Sequence, residues 1–268
     1  MYRADLPRFQ MGIAPSVAHL DLDFRKVFHR YGEPPAVITA SFEGGVKVSV
    51  YLGPEDRAYA TVESHRDWIR TSGKFTDLGI PWIYILPQIG PIVEKEPPLT
   101  DDYVKEHLYT RLSSLHFRNQ VFRRPDSFEQ FKALAESSWH GLRVEPVERA
   151  LTDKGPMLSM FVQDGDFVAE VASMGHGLQM WLQTIWFVSR TPTDGIVVLD
   201  EPDVYMHPDL QRKVFRLIKR RFAQSVVATH SVEIMAEADP GQILIADKSK
   251  PRSVFANTQP AVQSLAGC

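Results

Sequence analysis

The last quarter of the chain carries the strongest constraint on its fold. Two short apolar runs, IVVLD (Ile196–Asp200) and SVVAT (Ser225–Thr229), are separated by an amphipathic stretch, Pro208–Phe222, long enough for one helix. A tight turn would make such strands antiparallel, whereas a helical crossover returns the chain to the same end and makes them parallel neighbours. A third run, QILIA (Gln242–Ala246), reads as a further strand. The fold class is therefore α/β. Asp200 and Glu201 end one strand and Thr229 and His230 the other, so all four lie at the carboxyl edge of the sheet, where open α/β sheets bind ligands.

The chain can bury a core for this sheet. It has 268 residues, 44% of them hydrophobic and 24% charged, which is ordinary globular usage. Its 30 Lys and Arg against 33 Asp and Glu give a formal charge of −3, which argues against a general binder of polyanions. The one cysteine is Cys268, so an intramolecular disulfide and a cysteine-based zinc site are excluded and a reducing compartment is expected. Arg3, Asp5 and Arg8 interrupt the place where a signal peptide needs an apolar core. No run approaches the roughly 20 apolar residues of a membrane span. A cytoplasmic protein with no membrane partner is expected.

Texture divides the chain into four parts. Residues 1–35 are poorly determined, with a short helical stretch at Asp21–His29 and an acidic pair, Asp21 and Asp23, that reads as a helix start. Residues 36–99 form an antiparallel meander, AVITASF, VKVSVYL and RAYATVES, then a buried strand at Trp82–Leu86 and a proline-rich loop. Residues 100–141 are a helical insertion: one helix opens at Thr100-Asp101-Asp102 and continues through Val104, Leu108, Leu112 and Leu115, and a second spans Ser127–Trp139. Residues 142–268 hold the strands LSMFV and FVAEV, a buried helix through Leu178, Leu182 and Ile185, and the parallel unit.

Adjacent carboxylates at a strand end point to opposite sides. One can hold a metal through its water shell while the other reaches a nucleophilic water, an arrangement suited to Mg²⁺-dependent phosphate chemistry. The alternative is a strand followed by an acidic turn. A second strand delivering His230 to the same edge favours a site.

IVVLDEPDVYMHPDLQ followed by VVATHS resembles the Walker B, D-loop and H-loop run of ABC-type ATPases, in the branch of the overcoming-lysogeny-defect proteins and related AAA ATPase-like proteins. His207-Pro208 matches a feature of that branch. ASMGHGLQ resembles the ABC signature loop in Ser173-x-Gly175, with His176 where many members have Gln or Glu. ILPQIGP resembles the Q-loop, with Gln88, and Phe117-Arg118-Asn119 also recurs in the branch. The resemblance covers most of the chain, about Ala36 to Leu265, and implies a P-loop NTPase-like parallel sheet with an antiparallel meander and a helical insertion. It implies ATP and Mg as cofactors. Asp200 and Gln88 would hold Mg²⁺ largely through water, Glu201 would polarise the attacking water, and His230 would contact the γ-phosphate. Ser173, Gly175 and Gly177 would close over ATP bound by an opposite protomer, making the working unit an ATP-sandwich dimer with a role in DNA-linked or antiphage defence, where a nuclease or DNA is the partner.

One element of that pattern is missing. The phosphate-cradling G-x-x-x-x-G-K-[ST] does not occur, the only Gly-Lys being Gly73-Lys74 before Phe75. The first strand and P-loop are therefore expected outside these residues, ahead of Met1 or on a partner, and the chain alone is expected to be inactive. Two alternatives stand beside the ATPase: a non-catalytic partner or pseudo-ATPase subunit, and a nucleic-acid-binding module using the basic residues of Pro208–Phe222. A solvated face is the expectation for that basic stretch.

Overall fold

Gly44 and Gly45 have φ of 82° and 75°, a region open to glycine at little cost, and there the chain reverses. The strand β1 (Ala36–Phe42) consequently lies against β2 (Val46–Leu52) in full antiparallel register, Ala36 opposite Leu52 and Phe42 opposite Val46. The computed structural model describes residues 36–53, 58–65, 67–70, 72–110, 112–153, 155–247 and 253–256. The meander continues through β3 (Ala58–Ser64) and β4 (Asp67–Ile69) in the order β1-β2-β3-β4, and a short helix, α1 (Ser72–Thr76), follows. Tyr51 and Tyr59 face each other across β2 and β3 with rings stacked at 4.6 Å. These elements belong to one compact unit, residues 1–81, and the meander is as the alternation predicts. The expected helix at Asp21–His29 lies outside the described residues.

The second unit, 82–268, opens with β5 (Ile83–Leu86), followed by α2 (Asp101–Glu106), α3 (Phe117–Phe122) and α4 (Pro125–Ser138). Five short strands come next: β6 (Leu142–Val144), β7 (Glu148–Thr152), β8 (Gly155–Ser159), β9 (Phe161–Asp164) and β10 (Phe167–Glu170). The long helix α5 (His176–Arg190) leads to β11 (Ile196–Asp200), α6 (Pro208–Arg221), β12 (Gln224–Ala228) and α7 (Val232–Glu237), with β13 (Leu244–Ile245) and β14 (Val254–Phe255) last.

The parallel unit forms as the crossover requires. β11 is the central strand of a parallel sheet in the order β12-β11-β5, with Val198 opposite both Val226 and Ile85. Its core gathers Leu182, Ile185 and Trp186 of α5, Phe131 and Ala135 of α4, Val197 and Leu199 of β11, and Val214 and Ile218 of α6. The helix α5 is buried on nearly every side, as its all-round apolar pattern demands. At the start of β11, a Cβ on Gly195 would come within 2.5 Å of the Tyr84 ring and 3.2 Å of Trp82 O, so any larger residue would have to displace that ring. No helix among the described residues is long and apolar enough to cross a membrane.

Four expectations are corrected. The run Trp82–Leu86 is not a buried strand: Trp82, Ile83 and Ile85 are exposed, because β5 is an edge strand of the described sheet. The helix opening at Thr100 stops at Glu106, and after a turn a 3₁₀ segment, Ser113–His116, leads into α3, leaving Leu115 half exposed. LSMFV is divided at Met160 between β8 and β9, which pair in different sheets. Gln242–Ala246 contributes only the two-residue β13, paired antiparallel with β14 and outside the parallel sheet.

Candidate functional site

Parallel register brings the first site together. Leu86 pairs with Leu199 and Ala228 with Asp200, so the residues just beyond these pairs, Gln88, Glu201 and His230, emerge at the same sheet edge. Gln88 Nε2 donates to Glu201 Oε2 at 2.7 Å, and His230 Nε2 stands 3.8 Å from Glu201 Oε1. Glu201 is thus bracketed from both neighbouring strands. Its backbone is unusual: φ is +46°, in the left-handed region, although a non-glycine residue precedes Pro202 there. The Glu201 N–H donates to Ala228 O at 2.8 Å, which extends the ladder one step past the strand and holds this conformation. Such strain is concentrated at functional positions. Asp200 is exposed at the strand end, and its side chain makes no hydrogen bond or ion pair among the described residues.

The turn after Glu201 is locked to the end of β12. Thr229 Oγ1 donates to Asp203 Oδ1, and the same hydroxyl accepts from Ser231 N at 2.9 Å. Ser231 Oγ caps α7 by accepting from Ile234 N, and its hydroxyl meets Gln211 Oε1 at 2.6 Å. Gln211 in turn donates to Met206 O at 2.9 Å. This closed circuit fixes the turn that carries Glu201. Asp203 and Gln211 lie within IVVLDEPDVYMHPDLQ and Ser231 ends VVATHS, but the motifs assign none of the three a role.

The glycine-rich loop lies against the same turn. Ser173 closes a 3₁₀ segment and Gly175 is the first flanking residue of α5, both exposed, and no side chain caps that helix start. A Cβ on Gly177 would sit 3.4 Å from Tyr205 O, and the His176 ring meets the Tyr205 ring edge-on at 5.4 Å. Two buried glutamines of α5 tie the glycine-rich loop to the segment after Gln88. Gln179 accepts from Ile92 N at 2.8 Å and donates to Ala172 O and Met174 O, and Gln183 donates to Gly90 O at 2.9 Å. Polar residues four apart in an otherwise apolar helix are the signal that could have identified them.

A buried clamp joins the two segments further out. Arg118, fully buried, makes a two-pronged pair with Glu170 at 2.7 and 2.6 Å and donates to Val93 O and Glu96 Oε2. Glu96 also accepts from the backbone N–H groups of Arg118 and Asn119 and from Asn119 Nδ2. Burial pushes the Glu96 carboxyl above its ordinary value, against the pull of these donors and of Arg118. Glu170 accepts from Ala172 N at 2.8 Å, at the entrance to the glycine-rich loop. The Phe117-Arg118-Asn119 motif is therefore a buried connector and does not line the sheet edge.

Residues 93–236 match a family model described as AAA domain, putative AbiEii toxin, Type IV TA system. The chain belongs to this AAA domain family. The matched region of the AAA domain holds Ser173, Asp200, Glu201 and His230, and Gln88 precedes it. Among solved structures, one from work on ATP-driven dimerization and DNA-stimulated activation of SMC ATPases is 16% identical, with a TM-score of 0.43 over 56% of this chain and 96% of that one. The SMC head domain from Thermotoga maritima is 14% identical, with a TM-score of 0.46 over 83% and 73%. An SMC head bound to the C-terminal winged-helix domain of ScpA is also 14% identical, with a TM-score of 0.46 over 72% and 62%. No curated protein matches the AAA domain chain.

Proposed function

We propose that the chain is the Walker B, signature and H-loop part of an ABC-type ATPase of the overcoming-lysogeny-defect branch, completed by a phosphate loop from another polypeptide segment. The observation that carries this reading is the bracketing of Glu201 by Gln88 and His230 at one sheet edge. A carboxylate with one oxygen on Gln88 and the other facing His230 suits acceptance of the proton of an attacking water, and Gln88 orients it. His230, exposed at the same edge, would donate to a phosphoryl oxygen of the nucleotide. Asp200, exposed at the strand end, and Gln88 would hold Mg²⁺ largely through water, a mode suited to an ion that commonly keeps several waters. The bound ion would neutralise phosphate charge. Ser173, Gly175 and Gly177, at the uncapped start of α5, suit the phosphates of ATP held by an opposite protomer. An ATP-sandwich dimer in DNA-linked or antiphage defence follows from the branch, with a nuclease or DNA as partner.

A non-catalytic partner subunit is the second reading, favoured by the absence of G-x-x-x-x-G-K-[ST] from the sequence. Phosphate release measured on the chain alone, and then with a P-loop-bearing segment joined upstream or supplied by a partner, separates the two. The ATPase reading expects negligible release alone, restored release with the loop, and loss of release with binding retained in Glu201→Gln. Restored nucleotide binding without turnover in the otherwise wild-type protein selects the partner reading.

A further inference from the structure

The four-stranded meander ends in two unlike edges. On one side stands β4, three residues long and opened by the exposed carboxylate of Asp67, and a short, charged edge discourages further pairing. On the other stands β1, which among the described residues pairs only with β2. Its seven residues, AVITASF, contain no charge and no proline, and its register with β2 runs through all seven pairs without a bulge. The stretch Val37–Ser41 is exposed throughout, with Val37 at 50% and Ile38 at 61%. A long, uncharged, β-branched edge leaves a row of backbone donors and acceptors open to another strand.

The sequence of β1 favours a second copy of itself as that strand. A two-fold axis at Thr39, the midpoint, lays β1 antiparallel on β1 of another chain over its full length. Thr39 then faces the partner's Thr39, Val37 the partner's Ser41, Ile38 the partner's Ala40, and Ala36 the partner's Phe42. Each large side chain is set against a small one, and two hydroxyls meet at the centre, a favourable cross-strand pair. Thr39 already lies opposite Ser49 of β2 with their hydroxyls 3.1 Å apart, so self-pairing joins two such pairs into one row across the dimer. Nothing in the run repels its own copy, whereas a charged strand would find no opposite charge on β1 to select it. The contact is isologous, so it closes at two copies and leaves β4 outermost on both sides.

We propose that β1 is a dimerisation edge, on which two copies of the chain join by antiparallel β1–β1 pairing into one sheet holding the four strands of each. The ATP-sandwich dimer of the ATPase reading is a different contact. It uses Ser173, Gly175 and Gly177 and needs nucleotide, whereas pairing through β1 needs none, so the inference is independent of that reading.

The test is analytical ultracentrifugation of the full chain without nucleotide, at increasing concentration. The expected result is a monomer–dimer equilibrium with a midpoint between about 1 and 100 µM, since a single strand pair is a small interface. Thr39→Lys and Thr39→Glu alter an exposed position. Each sets like charges directly opposite across the axis, which should raise the midpoint by about tenfold or more. Mixed in equal amounts, the two variants set Lys against Glu and should return to within about threefold of the wild-type midpoint. Both variants lose the Thr39–Ser49 contact, so recovery on mixing reports the pairing and not the fold. The proposal is overturned by a wild-type chain that stays monomeric up to about 300 µM, by association that both variants retain, or by no recovery on mixing. Association that Val226→Lys abolishes and Thr39→Lys leaves intact belongs to the β12 edge and overturns it equally. A dimer that forms only with ATP overturns the β1 contact while supporting the ATPase reading.

Discussion

Glu201 is the residue on which the site turns, because its backbone, its side chain and its neighbours all depend on strand ends. The left-handed φ of +46° is held by the hydrogen bond to Ala228 O, and the carboxylate has one oxygen on Gln88 and the other facing His230. In a protein completed with a phosphate loop, Glu201→Gln keeps the shape and removes the base, so phosphate release should fall by about 10²-fold or more while nucleotide binding persists. Turnover at the wild-type rate would remove Glu201 from the chemistry. His116 offers a residue-scale test that needs no nucleotide. It is buried, with Nε2 unpartnered, and burial holds its pKa down at about 4 against an ordinary 6.5. The folded state resists protonation and the unfolded state does not, so the stability contributed by neutral His116 is fully present above pH 6.5 and is lost as pH falls towards 4. The loss should be on the order of 1–3 kcal/mol, read from urea midpoints between neutral and acidic pH. The slope should flatten in His116→Gln.

At the scale of elements, α5 and the Arg118 clamp hold two loops that are far apart in sequence. Gln179 and Gln183 reach the segment after Gln88, and Arg118 joins Glu96 to Glu170. Removing one partner from a buried charge pair leaves the other uncompensated, so Arg118→Met should cost about 3–5 kcal/mol in urea unfolding. Glu96→Gln places an amide N–H against donors at one of its two oxygen positions and should cost about 1–3 kcal/mol. A cost near zero for both would show that the clamp contributes nothing to the fold. Gly195→Ala belongs to the same scale. Its Cβ would collide with Tyr84 at the start of the β5–β11 pair, and a loss of about 1–3 kcal/mol is expected.

For the whole molecule, the open edges of the parallel sheet matter most. Among the described residues β12 pairs only with β11, and Val226 on it is 52% exposed. An unpaired strand with apolar side chains is a template for another strand. The ATPase reading uses this edge as the seat of the strand that carries the phosphate loop. Val226→Lys should therefore reduce self-association of the isolated chain in light scattering and also weaken docking of a P-loop-bearing segment. If scattering by concentrated protein is unchanged, the β12 edge is not the source of association.

The sequence by itself determined whatever depends on short-range pattern. β-Branched alternation and a Gly-Gly turn specify the meander. Two apolar runs separated by a helix length specify parallel pairing, and with it the shared edge of Asp200, Glu201 and His230. Gln88 was legible through the order of motifs, and its hydrogen bond to Glu201 follows from the Leu86–Leu199 register. Tertiary structure decided what depends on which strand has neighbours and which cation has a partner. The apolar run Trp82–Leu86 looks buried in sequence and is exposed because it ends the described sheet. The pattern Val104, Leu108, Leu112, Leu115 suits one helix, yet the chain breaks at His107 and α3 turns Arg118 and Asn119 inward onto Glu96. The basic face of α6 reads as uniformly solvated, and the ion pairs of Arg216 with Glu237 and Lys219 with Asp239 leave only part of it free. Local pattern records the preference of a side chain for burial or water, whereas pairing at long sequence separation fixes who satisfies it, and that information resides in the packed chain alone.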